Sequence, residues 1–143
     1  MAKCELTIVR EQGDPTYRAG EPIRGNVLVR VDAGCRCDRL TVRAEWRTHG
    51  RGNTALGEDV VVELFRGEWT AGEEHAYPFE LPGPGWPWTY HGHDVNLDWA
   101  LVARADIPWA LDPKAEEEVV IVPGEDTIDA EIELQRELVK FAQ

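Results

Sequence analysis

An all-β fold, an antiparallel β-sandwich, is what these 143 residues predict, and three observations carry the prediction. Apolar side chains recur at every second position in one segment after another. That period lines one face of a strand rather than one side of a helix. Glycine and proline collect between the segments and mark turns. Hydrophobic residues make up 43% of the chain against 29% charged, enough for a packed core, in a length that suits one domain.

Cys4–Val9 reads as the first strand, with Cys4 facing the core. Asp14-Pro15 turns the chain. Val27, Val29 and Val31 then alternate with Leu28, Arg30 and Asp32, and Ala33-Gly34 ends that run. Leu40, Val42, Ala44 and Trp46 form the next stripe, followed by a loop from His49 to Gly57. Val60, Val62 and Leu64 give a fourth strand, closed by Arg66-Gly67. Tyr77, Phe79 and Leu81 give a fifth, closed by the run from Pro82 to Pro87. The longest stripe is Val95, Leu97, Trp99, Leu101, Ala103 and Ala105, and Glu118–Val122 is the last. Seven short strands with one apolar and one mostly wetted face are the pattern of antiparallel sheets packed face to face.

After Pro123-Gly124 the character changes. Asp126 suits a helix N-cap, Asp129 and Glu131 its first turns, and Lys140 its end. Ile128, Ile132, Leu138, Val139 and Phe141 supply an apolar side, although residues 127–134 alternate equally well. The expectation is one sandwich over residues 1–124 and a tail over 125–143. That tail is helical, with a strand leading into a helix as the alternative.

Fifteen basic residues against 27 acidic ones give a net charge of −12. A phosphate backbone or an anionic membrane surface must be met by Lys and Arg, so neither nucleic acid nor membrane is an expected partner. The charge is uneven: residues 1–51 carry +3 and residues 52–143 carry −15. A solvated acidic surface explains this; a surface that steers a basic partner toward the second half is the alternative. No run approaches the length of a membrane span, and Met1-Ala2-Lys3-Cys4-Glu5 lacks the apolar stretch of a signal peptide. With three cysteines, an odd number, a reducing cytoplasm is the expected location.

Tyr17-Arg-Ala-Gly20-Glu21-Pro-Ile23-Arg-Gly25-Asn-Val27-Leu-Val29 resembles the Y-x-x-G-E-x-V/I-x-G-x-V-x-V entry of arrestin-like domains. His75-Ala-Tyr-Pro-Phe79-Glu-Leu81-Pro82, followed by Pro87-Trp-Thr-Tyr90-His-Gly92, is similar to their F-x-F/L-P…P-x-S-Y/F-x-G segment, with Thr89 where Ser is usual. Val95 to Asp106 matches the long strand that follows. The likeness covers residues 4–124. It implies an immunoglobulin-like sandwich that acts as an adaptor or regulator through protein contacts and is not an enzyme. Arrestins, retromer-associated arrestin-like subunits and bacterial sporulation-control proteins share that architecture. Those relatives carry two sandwiches in tandem and this chain has length for one, so no two-lobed binding residue carries over. A single sandwich has free edges, and a homodimer through the tail or an edge strand is expected on that ground.

Three local signals bear on function. His91-Gly-His93-Asp94 is the candidate metal set, with Asp98 near it in sequence. An extended segment would turn both imidazoles one way, whereas exposed turn histidines explain the group without metal. Trp86, Trp88 and Tyr90 cluster in the Pro/Gly-rich loop. They read as a lid folded over one end of the sandwich, as a protein-binding patch, or as a sugar-stacking site, since Trp and Tyr anchor interfaces and stack on rings. Cys35-Arg-Cys37 is C-x-C with no second pair, which reads as two reduced cysteines at a strand entrance.

Catalysis has no anchor. The chain contains no serine, no spacing selects another nucleophile, and 27 carboxylates make coincidental acid pairs inevitable. Gly50-Arg-Gly52-Asn-Thr-Ala55 matches G-x-G-x-x-A, but a β segment follows it where a dinucleotide site needs a helix. The reading is a non-catalytic protein-interaction module without a cofactor. A carbohydrate-binding sandwich using Trp86, Trp88 and Tyr90 is the alternative.

Overall fold

The computed structural model describes residues 2–50 and 56–124. The expected C-terminal helix lies outside them. Nine strands appear among the described residues: β1 (Cys4–Arg10), β2 (Thr16–Arg18), β3 (Ile23–Val31), β4 (Cys35–Gly50), β5 (Leu56–Trp69), β6 (Glu74–Leu81), β7 (Tyr90–His91), β8 (Val95–Asp106) and β9 (Lys114–Val122). All seven expected strands are present. The two additional ones, β2 and β7, are three and two residues long, too short for an alternating pattern to show in sequence.

The strands form two sheets. One has the order β1-β3-β6 and is antiparallel throughout. The other runs β2-β9-β8-β4-β5, with β7 also paired to β8. It departs from the purely antiparallel expectation at one edge, where β2 runs parallel to β9. Register shifts between Cys37 and Leu40, Leu40 and Thr41, and Arg43 and Glu45 interrupt the β4–β5 ladder. Extra residues of this kind increase the local twist and bend the strand.

The alternating stripes meet between the sheets. Ile23, Val27 and Val29 from the small sheet and Leu40, Val42, Trp99, Leu101 and Ile121 from the large one are almost fully buried. Each such aliphatic side chain contributes about 1.5–3 kcal/mol on leaving water. The stripes outrun the core at their ends: Val60 and Val95, both in phase, stay 48% and 43% exposed. Trp46 is half-buried and packs on the core rather than within it. Trp69 is deeply buried instead, stacked on Phe65 at 5.3 Å and donating its indole N–H to the Tyr77 hydroxyl at 2.9 Å. This aromatic corner joins β5 to β6. Across the molecule Arg10 reaches Glu117 at 3.2 Å and ties β1 to β9.

Two glycines of the entry motif are explained by geometry. Gly20 takes a φ of +85°, where a side chain would be strained. A Cβ on Gly25 would lie 2.3 Å from the Val9 carbonyl oxygen. Among the strand edges, β6 carries Pro78, whose ring removes a backbone donor and discourages further pairing.

Candidate functional site

The segment after β6, residues 82–89, crosses the end of the sandwich where β8 begins and β9 finishes. Backbone and side-chain bonds fasten it there. The Pro84 carbonyl accepts from the Gly20 amide at 3.0 Å, and the Pro87 carbonyl accepts from the indole N–H of Trp99 at 2.7 Å. Thr89 makes two bonds to one residue: its amide donates to the Ile121 carbonyl, and its hydroxyl accepts from the Ile121 amide, each at 2.9 Å. Thr89 thus supplies a hydroxyl at the place where the resemblance expects Ser. Gly83 lies against Glu21, with no room for a Cβ beside that residue's carbonyl.

The three loop aromatics differ in exposure. Pro84 and Pro87 are buried, and Trp88 is half-buried against the core, its N–H bonded to the Gly85 carbonyl at 3.1 Å. These residues pack over that end of the core. Trp86, on the segment, is 74% exposed, and Tyr90, which opens β7, is 58% exposed. With the backbone already held in place, a partner that covers such a side chain orders the side chain alone.

β7 leads from this rim to the outer face of the large sheet. Tyr90 pairs with Leu97 and His91 with Asn96. His91 Nε2 lies 2.7 Å from one carboxylate oxygen of Asp98, and His49 Nε2 lies 3.9 Å from the other. The β4–β8 register, with His49 opposite Asn96 and Arg47 opposite Asp98, brings this second histidine in. A shallow depression continues along that face, lined by Glu45, Arg47, His49, Asp98, Glu116 and Glu118.

The candidate metal set is separated by a turn. The Gly92 amide donates to the Val95 carbonyl at 3.0 Å, and His93 and Asp94 are exposed within that turn while His91 bonds to Asp98. Among the described residues, no three His, Cys, Asp or Glu side chains are arranged to hold a metal ion. Gly50 ends β4 and Leu56 opens β5, so the glycine-containing segment joins two antiparallel strands. Residues 51–55 lie outside the described set.

At the opposite end Cys4 and Cys37 are buried, Cys35 is half-buried, and all three are free thiols. Burial pushes the Cys4 thiol up to about 12 and the Cys37 thiol up to about 11. At neutral pH both are protonated core side chains rather than nucleophiles.

No family model matches the chain, and no curated protein does. Among solved structures, Spo0M, a sporulation control protein from Bacillus subtilis, superposes with a TM-score of 0.75 at 18% sequence identity. The match covers 96% of this chain and 56% of that one, so this chain spans little more than half the length of that protein. The likeness is one of fold: the described residues form an arrestin-like β-sandwich. No helix among them is long and apolar enough to cross a membrane.

Proposed function

We propose that this chain is a non-catalytic, arrestin-like protein-interaction module that works as an adaptor or regulator, in a bacterial cytoplasm, through its aromatic end. The carrying observation is the pair Trp86 and Tyr90, exposed on and directly after a segment whose backbone is bonded to β8, β9 and the β2–β3 turn. Large aromatics left in water next to a preformed backbone are typical interface anchors. The fold likeness to a sporulation control protein supports a regulatory role and identifies no partner.

Affinity capture with the full chain tests the reading, with Trp86→Ala and Trp109→Ala compared side by side. A protein retained by the native chain and by Trp109→Ala but lost with Trp86→Ala supports it. Retention unchanged by Trp86→Ala, or Trp86-dependent binding of an oligosaccharide instead, overturns it. Self-association through the tail or an edge strand belongs to the same proposal. β5 lacks the proline that blunts β6, and light scattering on the chain with and without residues 125–143 tests the idea. A monomer in both forms rejects the homodimer.

A further inference from the structure

The small sheet turns an apolar band to the outside. On β1, β3 and β6 the residues that alternate with the core are exposed, and the register sets them in rows across the three strands. Thr7, Leu28 and Ala76 make one middle row, and Val9, Asn26 and Pro78 make the next. Leu28 is 40% exposed and Val9 45% exposed. Ion pairs close the band at both ends. Arg24 meets Glu80 at 2.8 Å in the row beside the start of β3. In the far row Arg30 meets Glu5, and Glu74 adds a second carboxylate to that one guanidinium. A depression of about 400 Å³ opens between this far row and Leu28.

We infer that residues 125–143 occupy this face in cis, as an amphipathic helix laid along the band. The chain leaves the sandwich at the near end of it. The Ala19 amide donates to the Val122 carbonyl at 2.7 Å, Gly124 lies beside the Ala19 carbonyl, and β3 begins at Ile23. The lengths agree. From Arg24 to Arg30 an extended strand covers about 20 Å, and a helix from Asp126 to Lys140 covers about 21 Å. Two strand spacings give the face a width of about 10 Å, close to the diameter of a helix with its side chains. Ile128, Ile132, Leu138 and Val139 supply the apolar side that meets the two middle rows. Running from the near row to the far one, the helix brings Arg136 and Lys140 to the end with the surplus carboxylate. The covalent tether favours this occupant over a free partner, since it holds the segment at an effective concentration of about a millimolar or more. A tail held on its own sandwich leaves the edge strands as the route to a homodimer.

NMR with amide hydrogen exchange on the full chain tests this. The expected result is helical shifts over residues 126–140 and exchange there at least about tenfold slower than in an unstructured chain. Leu28→Glu should remove that protection, whereas Leu111→Glu, which charges a residue 71% exposed on the β8–β9 loop, should leave it. Ile132→Glu alters no residue of the sandwich, so it should free the tail, shift the Leu28 methyl resonances and leave the β1 and β3 amides protected. Random-coil exchange in the native tail overturns the proposal. So do unmoved Leu28 methyls in Ile132→Glu, or tail protection that survives Leu28→Glu, because the tail then rests elsewhere. Protection that grows with protein concentration, alongside dimers in sedimentation, makes the occupant the tail of a second copy and overturns the cis assignment. Trp86→Ala should move none of these readouts, so the aromatic end stands or falls separately.

Discussion

The indole N–H of Trp99, in the middle of the core, donates to the carbonyl oxygen of Pro87 at 2.7 Å, twelve residues earlier in the chain. One side chain therefore fills the interior and fixes the outer loop. Trp99→Phe keeps most of the ring and leaves the buried Pro87 carbonyl without its donor. The expected cost is about 1–3 kcal/mol, read as a lower midpoint in urea. Amide exchange should speed up at Thr89, which shares that loop. Unchanged exchange there would separate the loop from the core bond.

Trp86→Ala should leave stability within about 0.5 kcal/mol of the native chain, because the side chain is solvent-exposed and its loop is held by other residues. Thermal unfolding checks this. A large loss of stability would mean that the ring packs on something in solution, and binding defects of the variant would then report folding.

Gly25→Ala places a methyl group 2.3 Å from the Val9 carbonyl oxygen and 3.0 Å from the Phe79 ring. The backbone contact has no side-chain rotation to relieve it, so β1 and β3 must part locally. The expected loss is about 1–3 kcal/mol by urea titration. Gly72→Ala is strained for another reason, its φ of +89° with open space around it, and should leave the β1–β3 amides protected.

Raised thiol values make a statement about alkaline stability. Below 9.0, the ordinary thiol value, folded and unfolded chains both keep the protons of Cys4 and Cys37, and full stability is present. Above it the unfolded chain releases protons that the fold retains. Stability therefore falls with rising pH until the folded thiols titrate, at about 11 for Cys37 and about 12 for Cys4. The slope is about 1.4 kcal/mol per pH unit for each thiol. Burial also raises Tyr17 and Tyr77 above 10.0, so a Cys4→Ala/Cys37→Ala chain should keep a shallower decline that begins about one unit later. An identical pH profile in that variant would refute the assignment to the thiols.

Asp112 organises the β8–β9 loop. It accepts from Arg104 at 2.6 Å and from the Ile107 amide at 3.0 Å. The Arg104 hydrogen bond and the Ile107 amide hold its carboxyl below the ordinary 3.8. That contribution is present above 3.8 and disappears as the pH falls through the lowered value. Arg104 is half-exposed, so Asp112→Asn should cost under about 1 kcal/mol overall. Ile107 should nonetheless lose amide protection, as hydrogen exchange would show.

Period-two stripes were sufficient to locate every long strand, because each repeats its apolar residue often enough to declare one buried face. The left-handed turn at Gly20 and the close approach at Gly25 account for two glycines of the entry motif. Other features depend on pairings that no local pattern encodes. His49 meets Asp98 only because β4 and β8 align with His49 opposite Asn96, and a sequence gives no register between strands so far apart. Trp69 sat beside a turn signal and is buried because β6 brings Tyr77 to its N–H. The two-sided character of the 82–92 segment was hidden as well. Trp86 and Trp88 are two residues apart, and only the bonds from Gly20 and Trp99 decide which indole turns inward.

β4 runs sixteen residues from the cysteine end to the aromatic end, a span on the order of 40–50 Å at the rise of an extended strand. Cys35, at its first position, is the only thiol that is not fully buried. A maleimide dye coupled there would sit at the far pole from Trp86. That separation gives a reporter whose brightness a ligand at the other pole would not quench by contact.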